Sequence, residues 1–75
     1  MREADNRWLE EVENRIDRLV RAGYLENKFV IAIKDLMRVY VASNGDDSIR
    51  KDVEDILYSH ELKYWNNRLS GRESI

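Results

Sequence analysis

The stretch Phe29 to Ala42, FVIAIKDLMRVYVA, decides the fold. It holds eleven apolar residues and three charged ones, Lys34, Asp35 and Arg38. Its two ends, Phe29 to Ile33 and Val39 to Val41, are rich in β-branched and aromatic residues, the composition of strands. A hairpin would need a turn between them, and Lys34 to Arg38 contains no Gly, Asn or Pro to make one. Read as a helix, Phe29, Val30, Ile33, Leu36, Met37, Tyr40 and Val41 form one broad face. Ile31, Ala32, Val39 and Ala42 occupy much of the other. A helix that is apolar on nearly every side is normally buried on nearly every side. Two neighbouring helices cannot enclose it, so further apolar surface is expected to cover it.

Outward from this stretch, breaks fall at Ala22-Gly23-Tyr24 and Ser43-Asn44-Gly45-Asp46. Apolar residues between the breaks recur at three and four, and Pro is absent. The sequence therefore predicts an all-α chain of three helices near 4–22, 27–43 and 48–69. They form a single helical domain, 4–69, with flexible tails at 1–3 and 70–75. In the first helix Trp8, Leu9, Val12, Ile16, Leu19 and Val20 lie within about 120°, the width of a core stripe. Glu11–Arg15 and Asp17–Arg21 have the favourable i,i+4 order. Gly23 stands where a left-handed C-cap is expected. Asp47 or Ser48 is expected to cap the third helix, whose early acids suit its N-terminal dipole. That helix carries two stripes. Ile49, Val53, Ile56, Leu57, His60 and Tyr64 face the core; Tyr58, Leu62, Trp65 and Leu69 lie nearly opposite, where the last turns are expected to overhang.

Composition narrows the chemistry. The chain has 75 residues, 13 Lys and Arg against 15 Asp and Glu, one His and no Cys. One domain of this size builds a small core and commonly needs a disulfide, a metal or a partner subunit. Without Cys the first is closed, and a reducing, cytoplasmic setting is expected. No apolar run reaches membrane-spanning length, and the N-terminal residues do not read as a signal peptide. A single His and no Cys leave no nucleophile–base pair to assemble, so no enzyme, cofactor, metal or small-molecule substrate is expected. His60, at core spacing, reads as a packed histidine. The acids Asp46, Asp47, Asp52, Glu54 and Asp55 do not make a calcium loop: placing Gly45 sixth puts Tyr40, Ala42 and Asn44 at the first three ligand positions. The three Gly are too scattered for a phosphate loop.

Two binding readings remain. Arg7, Arg15, Arg18 and Arg21 share one flank of the first helix and can contact nucleic-acid phosphates. Val41 to Ile56 can also be drawn as a helix-turn-helix. Yet the reading helix so drawn starts among five acids against Arg50 and Lys51, and the whole chain has a pI near 5.4, without the basic footprint of such domains. The stronger signal is surplus apolar surface, rich in the aromatic types that anchor interfaces. The expected function is a small non-enzymatic interaction module, an inhibitor, adaptor or antitoxin-like regulator, completed as a twofold homodimer and binding a second protein. Ile31, Val39, Tyr58, Leu62, Trp65 and Leu69 are its expected interface, with Arg15, Arg18, Glu54 and Glu61 as rim. A DNA- or RNA-binding regulator using the Arg flank is the alternative.

Overall fold

The computed structural model describes residues 2–73, with side chains as far as Leu69. Within them the chain forms three helices, α1 (Glu3–Arg21), α2 (Asn27–Ala42) and α3 (Asp47–Glu73), and no strand. The stretch that decided the fold is α2 from end to end.

The helix ends follow from local chemistry. Arg2 is extended, and the Asp5 carboxylate accepts its N–H at 3.2 Å, closing the first turn of α1. At the other end Gly23 adopts φ +80°, its N–H bonds to Val20 O, and Tyr24 N–H bonds to Leu19 O. These are the paired bonds of a Schellman cap, with Gly23 at the predicted left-handed position. The same pair closes α2, from Asn44 N–H to Val41 O and from Gly45 N–H to Tyr40 O. Here the left-handed residue is Asn44, with φ 60°.

The cap of α3 departs from expectation. Asp46, rather than Asp47 or Ser48, accepts the Ser48 backbone N–H at 2.9 Å and the Ser48 hydroxyl at 2.8 Å. Two successive left-handed residues, Asn44 and Gly45, turn the chain early enough for Asp47 already to be helical. The far end also differs, since residues 70–73, expected as tail, continue α3. A lone Gly71 weakens a helix without having to end it. Glu3, expected in the other tail, opens α1. Met1, Ser74 and Ile75 lie outside the described residues.

α1 and α3 run parallel, because Trp8 meets Glu54, Arg15 meets Glu61 and Tyr24 meets Tyr64. α2 runs antiparallel to both. α3 packs along both of the others, while α1 and α2 meet where Trp8 packs on Tyr40 and the Tyr40 hydroxyl donates to Asp5. The buried core is Trp8, Val12, Ile16, Leu19, Leu25, Ile33, Met37, Tyr40, Val53 and Leu57. Val20 and Val41, assigned to core faces, are 45 % and 47 % exposed. They sit on the edges of their stripes, and Val41 lines an open groove of about 480 Å³ between Leu9 and Glu13 on α1 and Lys34 and Arg38 on α2.

The molecule is long, 48 × 24 × 19 Å, with a radius of gyration of 13.9 Å against about 11 Å for a compact chain of this length. Its accessible surface is 5594 Å², where a monomer of its mass presents roughly 4,900 Å².

Candidate interaction surface

Between Val53 and Leu69, α3 presents three differently employed sides. Val53 and Leu57 point into the core and are fully buried. Toward α2, Ile56 is half-buried and the His60 ring packs edge-on against Phe29, centroids 4.8 Å apart. His60 Nδ1 lies 2.8 Å from Ile56 O, so the proton belongs on that nitrogen, which donates to the carbonyl. It is the packed histidine its spacing suggested.

Toward α1 the contact is ionic. Arg15 forks between two carboxylates one heptad apart. Its Nη1 donates to Glu54 at 2.8 Å, and its Nε and Nη2 donate to Glu61 at 3.0 and 2.6 Å. The Trp8 indole N–H donates to Glu54 from the same side at 2.7 Å. The side chains of Arg15 and Glu61 are only 21 % and 18 % exposed, so these bonds are partly shielded from water. The Glu61 hydrogen bonds hold the Arg15 proton more firmly than usual, against the opposing pull of desolvation. Burial would raise the Glu54 carboxyl, but the Trp8 and Arg15 hydrogen bonds and charges outweigh it and hold the carboxyl below its ordinary value.

Beyond this ionic seam lies the second stripe. Tyr58, Leu62, Trp65 and Leu69 are 42–61 % exposed. They recur at the 4-3-4 spacing that keeps one helix face in line. Folding the stripe back onto α1 is prevented by what already occupies that side. Glu54 and Glu61 fill the approach, and Trp8 is buried against Tyr40, ring centroids 4.9 Å apart. Trp65 instead packs on Tyr64 beside it, and the Arg68 guanidinium lies 5.6 Å from both ring centres.

The structure separates the other two expected interface residues from this stripe. Ile31 and Val39 are exposed on α2, 54 % and 50 %. At about 100° per residue the α3 stripe lies on the side of α3 turned away from α2. The six residues therefore form two surfaces, because helical spacing shows which residues share a face but not which face the next helix meets.

The Arg flank is dispersed too. Arg15 is drawn into the α1–α3 contact rather than pairing with Glu11. Arg7 pairs with Glu3 at 3.6 Å and Arg21 with Asp17 at 3.1 Å. Arg18 is exposed and has no ion-pair partner among the described residues. Of the four expected rim residues, the structure brings Arg15, Glu54 and Glu61 together beside the stripe.

A second polar knot ties the ends of α1 and α2. The Tyr40 hydroxyl, buried beneath Trp8, donates to Asp5 at 2.8 Å. Desolvation first, and then the Asp5 carboxylate, push the phenol up; the same hydrogen bond holds the Asp5 carboxyl down. Arg50 covers the outer face of Trp8 at 4.9 Å. Sequence reading missed this knot and the α1–α2 groove. The only prior signal for the knot was a Tyr among aliphatics on a core face, whose hydroxyl needs a partner once buried.

Among the described residues, no three His, Asp or Glu side chains gather as a metal ion requires, and no helix is long and apolar enough to cross a membrane. Compared with protein-family models, curated proteins and solved structures, the chain matches none.

Proposed function

We propose that this chain is a small non-enzymatic interaction module, acting as an inhibitor, adaptor or antitoxin-like regulator by occupying another protein surface with the outer face of α3. One observation carries the reading: Tyr58, Leu62, Trp65 and Leu69 stand in line and exposed on a face that the chain's own helices leave uncovered. Large aromatic side chains in such a setting are the usual anchors of an interface, because their burial removes much apolar area from water at little cost in side-chain freedom. The Arg15–Glu54–Glu61 seam fixes that face against α1 and supplies a charged border. With Arg7, Arg15 and Arg21 already paired, the nucleic-acid alternative gains no support from the structure.

The test is a comparative capture. Native chain and the double variant Trp65→Ala with Leu69→Ala, immobilised at equal density, are exposed to extract from the source cells. Proteins retained by the native chain and absent from the variant, together with its own copies, define what the face binds. Identical retention, with both chains folded by circular dichroism and equal in solution mass, overturns the reading.

A further inference from the structure

Resting on that reading of the α3 face, we infer that its occupant is a second copy of this chain, laid antiparallel so that the two α3 helices pair about a twofold axis between Leu62 and Trp65. The spacing of the stripe is the first support. Positions 58, 62, 65 and 69 read 4-3-4 in either direction. An antiparallel copy therefore sets Tyr58 opposite the second copy's Leu69, and Leu62 opposite its Trp65, with no large side chain left over. The preceding positions of the same repeat are Asp55 and Lys51, so the apolar seam stops where the face turns polar.

Charge supplies the second support, and it chooses the direction. Glu61 and Arg68 lie one heptad apart on the α1-facing edge of the stripe; Ser59 and Asn66 lie on the other edge. In an antiparallel pair like edges meet. Glu61 of one copy then comes beside Arg68 of the other, twice by symmetry, while the neutral residues meet along the opposite edge. In a parallel pair unlike edges meet, and neither charge finds a partner. Arg68 already lies over Tyr64 and Trp65, at the border where it has to act. Glu61 keeps acceptor capacity beyond its bonds to Arg15, since a carboxylate offers about four lone-pair sites.

The absence of Cys makes a clean test available. Tyr58→Cys and Leu69→Cys variants, both at exposed positions, are mixed in equal amounts and oxidised mildly with glutathione disulfide. The expected product is the mixed 58–69 disulfide, at least tenfold over either homodisulfide. Identical positions would lie eleven residues apart along the pair, about 16 Å, beyond disulfide reach. Arg68→Glu in the native background is expected to raise the dimer dissociation constant at least tenfold, and Arg68→Lys to change it little. Cross-linking of Tyr58→Cys to itself as readily as to Leu69→Cys overturns the antiparallel arrangement. A native chain that light scattering finds at 9.0 kDa at the cross-linking concentration overturns self-pairing altogether. In that case a foreign protein captured by the native chain and lost from the Trp65→Ala, Leu69→Ala variant leaves the surface reading standing, and its absence removes both.

Discussion

Arg15 shows how much one side chain can settle. It stands beside Trp8 on the edge of the α1 core stripe, where a long side chain is half inside and half out. Its two carboxylate partners would repel each other without it. Replacing Arg15 by Ala is expected to cost about 2 kcal/mol at pH 7. That is less than the 3–5 kcal/mol of breaking a fully buried pair, because water reaches Glu54. Urea denaturation measures the difference, and pH sharpens it. Glu54 has a folded pKa below its ordinary 4.5, so its contribution is fully present above that value and is lost as pH falls through the folded one. In Arg15→Ala that support is reduced, so the gap between the proteins narrows as pH falls below 4.5 through the folded value of Glu54. A gap that stays constant or widens excludes this assignment. The edge position of Arg15 was legible in the sequence; its destination was not. The spacing rule offered Glu11 four residues away, whereas the structure offers Glu54 and Glu61, 39 and 46 residues away and better shielded.

Among the elements, the three helices were legible because their signals agree: apolar spacing, helix-forming charged residues, no Pro, and breaks only where Gly and Asn cluster. Gly23 is the clearest case. Its φ of +80° is one that L side chains rarely adopt, yet a methyl group added there would meet nothing within 4 Å. Gly23→Ala should therefore cost only the backbone term, about 1 kcal/mol, read as a fall in melting temperature of roughly 4–8 °C. A larger loss would mean a contact at this corner that the structure does not contain. The α3 cap was missed by one residue because Asp46, Asp47 and Ser48 are all competent caps in sequence. The choice among them depends on where two left-handed residues release the chain. The exposure of Val20 and Val41 was likewise invisible, since a stripe's edges are buried or bare according to how closely the neighbouring helix approaches. Tyr58, Leu62, Trp65 and Leu69 were legible as a second stripe, and all four are exposed; Ile31 and Val39 were legible as apolar and exposed, but not as belonging to a separate surface.

In the whole molecule, α3 is the partner that both other helices share. The uniform apolarity of α2 had suggested a helix covered on nearly every side, yet it is α3 at the centre, with both other helices packed on it. What places α3 there is the division of its circumference into a carboxylate side for α1 and a side bearing Ile56 and His60 for α2, and a single helix wheel cannot show this. The arrangement has a consequence for the order of events. α2 and α3 are joined by a short connection and share the most extensive packing, so they form a hairpin with local contacts. The side-chain hydrogen bonds of α1 to the other helices span 35 to 46 residues, through Asp5 to α2 and through Trp8 and Arg15 to α3. α1, made before the other two, is thus the last of the three to be seated, and the first to lift away. Native-state hydrogen exchange should register this as amides of α1 exchanging at least tenfold faster than the slowest in α2 and α3. Equal protection in all three helices would instead mean that the chain opens as one unit.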